Sequence, residues 1–442
     1  MLKKSFVFSL LAALTAANTA YSGCVQSFGT GAVAKGQSEA VVAQANDPYA
    51  VYYNPAGLTQ IDSPMLSTSI NIYDAEAKIK NFEINSTKTG DTNLNTMGPS
   101  RMHSTGEPLV TPTMGFAMPI NNIWSFGIAA YSPYGLRVLW DHDPNQNSTA
   151  LYSWESTYYR TVVSPTAAYK ISDKLSAGLG VSLGHSVFHT GKTVPANPLT
   201  GAPGLTALKL EAEDDFNYSF NVGILYKPND DISMGLTYRS VTNTDFEGDI
   251  YIAGKKTAPV SIKYDHPQSV QGGIRYNFLS DLAIETDLVW TNWDINRNQI
   301  EKTPMAPGGA FHHARDWENT VQYKIGAEWQ ATESIILRSG YTYDPSPVPD
   351  ETFDIGWPDT DRSVYNIGMG WMFNQSWSVD SALIYVRSTP MRNVSGSSEL
   401  NHVYGTLVEK YTQGAVPSDT VNVKLKDEGL LVGYSLTVNY KF

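Results

Sequence analysis

The chain has 442 residues, 43 acidic and 31 basic side chains, a formal net charge of −12 and one cysteine. No uncharged apolar run of ~18 residues follows the N-terminus, which excludes a bundle of transmembrane helices. A single thiol excludes a disulfide scaffold, and an acidic chain without basic runs argues against nucleic-acid binding. Aromatic residues make up 12% of the chain, too many for a disordered protein.

The N-terminus predicts export. Two lysines precede an apolar stretch over residues 6–17, and small residues follow, which is the order of a secretory signal peptide. Cleavage after Ser22 defines a signal peptide over residues 1–22. Cys24 leaves a second interpretation open, a lipoprotein processing site, although no aliphatic residue stands three positions before it.

Residues 23–64 do not alternate between polar and apolar types. They are rich in small residues and contain the compact run Asn54–Leu58. A flexible periplasmic tail is one interpretation, but tails are usually poor in aromatic residues. This segment carries five large apolar or aromatic side chains, which favours a packed element: Phe28, Tyr49, Val51, Tyr52 and Tyr53.

From residue 65 onward, segment after segment alternates. In Leu430–Phe442 the even positions are apolar or aromatic and the odd positions are mostly small or polar. Strand side chains point alternately to opposite faces, so the pattern predicts strands with one apolar face. Fourteen strands are predicted, beginning near Met65, Pro112, Trp124, Glu155, Asp173, Glu213, Ile232, Ile262, Leu282, Arg315, Ser334, Asp361, Trp377 and Glu428.

Such strands suit either a soluble sandwich or a membrane barrel. Short turns alternate with long loops, predicted near residues 75–110, 140–153, 190–212, 249–262, 297–315, 346–361 and 388–428. Aromatic residues cluster beside the short turns, as in an interfacial girdle, and the chain ends on Phe442 as an outward position. These features favour an all-β fold: a 14-stranded antiparallel transmembrane β-barrel over residues 65–442.

The third predicted strand contains an interruption. Ser132, Pro133, Tyr134 and Gly135 break an otherwise regular pattern. Proline cannot donate to the ladder and glycine marks a bulge or bend, so a kink is predicted here. The alternative is that the strand ends at Ser132 and a loop begins.

The lumen of such a barrel is too wide for wall side chains alone to fill. We therefore expect residues 23–64 to form a hatch, or plug, inside it. Asn54, Pro55, Ala56 and Gly57 are candidate gating residues, since Pro55 fixes φ and Ala56 allows close packing. A plain structural turn is the alternative.

Charged side chains at inward positions suggest a ligand contact. Lys324 and Arg338 could meet a carboxylate head group, although a polar network that stiffens the lumen explains them as well. His185 and His189 lie about 13 Å apart on a strand, too far to share a metal. His312 and His313 point different ways and lack a completing ligand set, so no metal or cofactor is expected.

Several stretches together resemble the FadL family of outer-membrane transporters for long-chain fatty acids and other hydrophobic compounds. The resemblance spans nearly all of the exported chain. The stretches that carry it are Asp47 with Asn54–Leu58, Trp124–Gly127 with Tyr134–Leu136, Tyr238–Ser240 with Asp245–Gly248, Arg315–Trp317, Asp344–Pro349 and Pro358–Arg362.

The resemblance implies a monomeric barrel in the outer membrane of a Gram-negative bacterium. External loops would catch a long-chain fatty acid or an aromatic or aliphatic hydrocarbon. The ligand would reach a pocket inside and leave sideways through a gap at the kink of the third strand. Outer-membrane lipid, lipopolysaccharide and the barrel assembly machinery are the implied partners.

Other functions are less well supported by the sequence. An outer-membrane lipase or protease needs a nucleophile and a base at close range, and no nucleophile elbow or paired-carboxylate motif is present. The chain is therefore not expected to be an enzyme. A nonspecific porin, or an adhesin with long acidic loops, remains an alternative.

Overall fold

The structure, a computed structural model, describes residues 26–90, 94, 98–197, 202–388 and 390–442. The predicted signal peptide and Cys24 lie outside these residues. Of the helices described, none is both long enough and apolar enough to span a membrane.

Fourteen antiparallel strands form a closed barrel, as predicted. Each strand pairs with the next along the chain, and the last pairs with the first from Met65↔Lys441 to Ser86↔Val421. The barrel strands are β1 Met65–Ser86, β2 Leu109–Pro119, β3 Trp124–Leu139, β4 Glu155–Lys170, β5 Leu175–Asn197, β6 Ala202–Tyr226, β7 Ile232–Arg239, β8 Ser269–Asn277, β9 Leu282–Thr291, β10 Thr320–Gln330, β11 Ile335–Asp344, β12 Arg362–Met372, β13 Trp377–Ser388 and β14 Val421–Lys441.

The strands turn their apolar side chains outward, the reverse of a soluble sandwich. In β14, Tyr434 and Leu436 are exposed, whereas Ser435 and Thr437 are buried. Because strand side chains alternate with period two, the other barrel strands also turn every second side chain outward. An apolar outer face with a polar lumen is the arrangement of an outer-membrane barrel.

Exposed aromatic rings form two belts around this outer face. The belt beside the short turns consists of Trp124, Tyr169, Tyr226, Tyr276, Phe278, Trp329, Trp371, Phe373, Trp377 and Phe442. A second belt lies toward the long loops and includes Phe216, Tyr218, Tyr323, Tyr365 and Tyr434. Aromatic rings prefer the two membrane interfaces, so the belts mark the height of the hydrocarbon layer.

Several strand limits differ from the prediction. β6 was predicted to begin near Glu213 but begins at Ala202, and the predicted loop 190–212 is a continuation of the β5–β6 hairpin. β8 begins at Ser269, because the strand near Ile262 belongs instead to an external pair. Ladder hydrogen bonds can continue in water beyond the membrane, and alternation alone does not mark where the membrane ends.

The long connections carry their own secondary structure. Asp245–Ile252 and Lys255–Lys263 form an external hairpin, and Asn298–Lys302 pairs with Ala310–Ala314. The longest described external helix, α3, runs over Ser398–Tyr411. The remaining short external elements are strands Met102–His103 and Arg392–Ser395 and 3₁₀ turns Trp293–Asn296, Pro307–Gly309, Asp350–Thr352 and Ser418–Thr420.

The described part of the N-terminal segment lies within the ring of strands. It forms α1 Ala32–Gly36, α2 Ala50–Tyr53 and a 3₁₀ helix over Pro55–Gln60. α1 contacts β12, β13 and β14, whereas the 3₁₀ helix contacts β4, β5 and β6. Most of its residues are buried, so the segment fills the lumen rather than trailing outside it.

Candidate functional site

Two buried carboxylates of β9 hold the backbone of the lumenal segment. Asp287 Oδ2 accepts the N–H groups of Val41 and Val42, both at 3.1 Å, and Glu285 Oε1 accepts that of Ala43 at 2.6 Å. Both acidic residues are at most 1% exposed. The backbone donors of three consecutive residues are thus satisfied by one strand, which fixes residues 41–43 to β9.

The predicted gating turn packs on a different part of the wall, against β4, β5 and β6. Asn54 Nδ2 donates to Val42 O at 2.8 Å and to Ile224 O at 3.0 Å, and Asn54 Oδ1 accepts from the N–H of Ala56. A Cβ at Gly223 would overlap Asn54 Oδ1, so glycine is needed there for the close approach. Asn54, Pro55, Ala56 and Gly57 therefore form a buried joint, and a gating role for them remains a prediction.

The predicted kink lies at a bulge in β3. The register shifts between Tyr131↔Val162 and Tyr134↔Arg160, so that Ser132 and Pro133 together oppose one residue. β3 nevertheless continues to Leu139, as does its pairing with β4. The structure thus has a bulged strand at Ser132–Gly135 rather than a strand that ends there.

A window opens in the wall beside this bulge. β2 and β3 pair only from Pro119↔Ser125 to Met114↔Ala130. Above that point β2 pairs with β1 alone and β3 with β4 alone. Thr105, whose N–H donates to Leu139 O at 2.7 Å, bounds the window at its outer end.

The first described residues close the window from inside. Ser27 donates its N–H to Pro133 O at 3.1 Å and its hydroxyl to Ser132 O at 2.7 Å. Gln26 forms an isolated bridge with Tyr134. A small cavity lies behind them, lined by Ser27, Phe28, Gly29, Tyr73, Thr111, Thr113 and Ser132. These contacts describe a closed window.

A larger cavity lies between the lumenal segment and strands β7 to β12. The space inside it, including the open mouth, is about 800 Å³. Lys324 lines it and pairs with Glu39 at 3.2 Å. Arg239 also lines it, donating to Tyr52 O at 2.8 Å with its guanidinium 4.2 Å from the centre of the Tyr52 ring.

Arg160 is the functional candidate that sequence reasoning missed. It is 1% exposed and opposes Tyr134 at the bulge. Its Nε donates to Asn217 Oδ1 at 2.7 Å, but among the described residues no carboxylate lies within 4.0 Å of Arg160 or Arg239. The signal that could have identified it is a lone arginine among inward apolar and small residues of β4.

Arg338 has a different environment from the other predicted head-group contact, Lys324. Arg338 does not line the cavity; it pairs with Glu328 at 2.8 Å and with Asp380 at 2.7 Å. Arg275 joins the same group through Glu328 at 2.8 Å. This arrangement matches the alternative interpretation, a polar network that stiffens the lumen.

An aromatic cluster fills the outer end of the barrel. Ring centroids in it lie 5.2–6.3 Å apart, and its central members are Tyr158, Phe188, Phe246, Tyr264 and Trp357. His266, in the external segment before β8, stacks on Tyr134 with a centroid distance of 4.2 Å. Burial, assisted by Arg160, lowers the pKa of His266 well below its usual range, so a neutral ring joins the cluster to the bulge.

One histidine of the pair His312 and His313 has carboxylate partners. His313 lies between Glu301 of its own external hairpin and Glu399 of α3, at 3.9 and 3.4 Å. Hydrogen bonds to these two carboxylates raise the pKa of His313 to about 9. The protonated ring therefore links the hairpin to the helix.

Comparison with known proteins agrees with this architecture. Residues 10–442 match the model of the family described as outer membrane protein transport protein (OMPP1/FadL/TodX). The chain is 24% identical to a long-chain fatty acid transport protein of Escherichia coli over 388 residues, which cover 80% of this chain and 84% of that one.

Solved structures share the fold. The crystal structure of a Pseudomonas aeruginosa FadL homologue has a TM-score of 0.78 at 18% identity and covers 95% of this chain and 99% of its own. The Ralstonia pickettii toluene transporter TbuX has a TM-score of 0.64 at 15% identity, with 94% and 99% covered. The family consists of outer-membrane transporters of hydrophobic compounds, not of enzymes. The chain therefore belongs to the OMPP1/FadL/TodX family of outer membrane transport proteins.

Proposed function

We propose that this protein takes up long-chain fatty acids by passive, ligand-gated diffusion across the outer membrane. The observation that carries the proposal is the pair Arg160 and Arg239, two cations in the lumen without a carboxylate partner among the described residues. A buried charge is costly unless it is paired, and a ligand carboxylate would pair it. A neutral hydrocarbon offers arginine no such partner.

Both arginines lie beside the same strand, β6. Arg160 bonds to Asn217 and lies 3.4 Å from Ser219 Oγ, and Arg239 is the register partner of Asn221. All three partners are inward positions of β6. Lys324 lies on the far side of the same cavity that Arg239 lines. An acid head group held here has its tail directed toward either the aromatic cluster or the window.

A sideways exit through the window follows from the energetics of the tail. Each CH₂ group that leaves an apolar environment for water costs about 0.8 kcal/mol. The window between β2 and β3 opens toward the lipid-facing side of the wall, so the tail passes to the bilayer without crossing water. The exit is then bordered by Ser132, Pro133, Tyr134 and Gly135. Residues 26–29 block it in the closed state.

Residues 23–64 act as the hatch in this proposal. Ligand binding beside Tyr52 and Glu39 competes with contacts that the segment makes to Arg239 and Lys324. The grip of Asp287 and Glu285 and the Asn54–Gly57 joint keep the rest of the hatch in place. We further propose a monomer, surrounded by outer-membrane lipid and lipopolysaccharide and inserted by the barrel assembly machinery.

Uptake in a strain that lacks its own transporter tests the ligand class. We expect the wild-type protein to restore uptake of radiolabelled oleate and not of toluene. The double variant Arg160→Gln/Arg239→Gln should lower oleate uptake at least tenfold, about 1.4 kcal/mol, whereas Arg101→Gln in an exposed external segment should not.

Two outcomes would contradict the proposal. Restored toluene uptake without oleate uptake would assign a hydrocarbon ligand. Large, steady ion conductance of the reconstituted protein, with no uptake of oleate, would indicate a porin.

A further inference from the structure

A second bulge, far from the cavity, brings three ligand-type side chains together. In the β5–β6 hairpin the register shifts between Gly184↔Asn217 and Ser186↔Asp214. Asp215 and Phe216 therefore lie opposite the single residue His185. A bulge re-aims the side chains at the insertion, and here both Asp215 and Phe216 are exposed on the outer face.

The three side chains that meet are His185, Glu213 and Asp215. One ligand atom of each lies within 4.8 Å of the other two, and His185 Nε2 is 3.7 Å from Glu213 Oε2. The His185 side chain is 15% exposed, and its buried Nδ1 has no hydrogen-bond partner among the described residues. The imidazole thus lies against two carboxylates and has no other polar partner in the described part of the chain.

The negative charge of this cluster is not balanced by the protein. Among the residues that the structure describes, no lysine or arginine lies within 4.0 Å of the Glu213 or Asp215 carboxylate. Across the next ladder Glu213 directly opposes Glu247. Like charges directly opposite each other destabilise a sheet, so a bound cation would remove a real repulsion.

We propose that His185, Glu213 and Asp215 bind one divalent transition-metal ion, with Zn²⁺ as the best fit. Zn²⁺ takes nitrogen at about 2.0–2.1 Å and carboxylate oxygen at about 2.0–2.2 Å, so its ligand atoms lie about 3–3.5 Å apart. Small side-chain rotations bring the observed cluster to that spacing. An imidazole among the ligands favours Zn²⁺ over Ca²⁺ or Mg²⁺, which prefer oxygen alone.

The position of the site gives the ion a structural role. Phe216 and Tyr218, 64% and 67% exposed, belong to the outer aromatic belt, so the cluster lies at the outer edge of the membrane. The ion ties β5 to β6 where the hairpin leaves the membrane. The sequence predicts no metal here because His185 and His189 are too far apart to share one. The ligands that complete the site, Glu213 and Asp215, are on the neighbouring strand.

Zinc titration of the purified, EDTA-treated full-length protein in detergent tests the proposal by calorimetry. We expect one saturable site in the wild type. His185→Ala and Glu213→Gln should each weaken its affinity at least tenfold. His142→Ala should not, because His142 is exposed and, of the carboxylates that the structure describes, just Asp141 lies within 4.0 Å of its ring, at 3.8 Å. A change in mobility between unheated and heated protein in SDS gels checks that each variant is folded.

Three results would overturn the proposal. One is the absence of a saturable Zn²⁺ site in the wild type. Another is Zn²⁺ binding that survives in His185→Ala and is lost in His313→Ala, since this would place the site at Glu301 and Glu399. The third is binding of Ca²⁺ or Mg²⁺ that is as tight as that of Zn²⁺ and is unchanged in His185→Ala. This result would show that His185 is not a ligand.

Discussion

The buried arginines of the lumen fall into two groups that differ in their partners. On the periplasmic side, Arg338 and Arg275 share Glu328, and Arg338 also binds Asp380. Beside the window, Arg160 and Arg239 contact amide, hydroxyl, carbonyl and aromatic groups, and within the described part of the chain no carboxylate lies within 4.0 Å of either. Arg338 and Arg275 are neutralised by carboxylates of the protein, whereas in the proposed function Arg160 and Arg239 are neutralised by a ligand.

The largest expected effect is a loss of stability when an arginine with carboxylate partners is replaced. Arg338→Gln leaves Glu328 and Asp380 buried with less compensation, and breaking a buried ion pair costs about 3–5 kcal/mol. Urea unfolding of the protein in vesicles should show this loss. Arg160→Gln is the matched control, because no carboxylate loses its partner there. Equal destabilisation by both variants would contradict the division into two groups.

The fold was largely predictable because a barrel wall repeats a local rule. The alternation in β14, the aromatic belt beside the short turns and the starts of β1, β3, β4, β7, β9 and β13 can all be read from neighbouring residues. The limits of β6 and β8 could not, because hydrogen bonding continues into the external hairpins without a change of pattern.

The site was less predictable because pairing is a property of distant residues. Nothing near Arg160 in sequence says that its partner is Asn217, or that Arg338 meets Asp380. The bulge at Ser132–Gly135 could be anticipated, since proline and glycine disturb a ladder locally. Which residues close the window beside it required the structure.

The next largest effect is expected where Asp287 holds the backbone of the lumenal segment. Asp287→Ala removes a charged acceptor from the N–H groups of Val41 and Val42, and hydrogen bonds to a charged group contribute about 1.5–3 kcal/mol. We expect hydrogen exchange of residues 40–44 to accelerate while the barrel strands keep their protection. Asp249→Ala, in the external hairpin, is the control, and unchanged exchange at residues 40–44 would exclude a holding role for Asp287.

A smaller expected effect tests whether Arg160 binds the charged head group of the ligand. Arg160→Gln should weaken oleate binding about tenfold, or about 1.4 kcal/mol, and should leave binding of oleyl alcohol unchanged. Tryptophan fluorescence titration in detergent measures both affinities. The contrast between the two ligands separates loss of a charge contact from a general change in the cavity. Equal weakening of both would mean that Arg160 supports the cavity's shape only.

The smallest expected effect concerns His313, whose pairing with carboxylates depends on pH. Protonated His313 bonds to Glu301 and Glu399, and its pKa of about 9 lies above the value of about 6.5 in an unfolded chain. The stabilisation is therefore complete below pH about 6.5 and is lost as the pH rises through about 9. Limited proteolysis of Ser398–Tyr411 should quicken between pH 7 and 10 in the wild type. His313→Gln should show fast cleavage throughout and His312→Gln the wild-type profile. A profile shared by all three proteins would show that His313 does not fasten the helix, and that pairing with carboxylates stabilises the lumen but not the external loops.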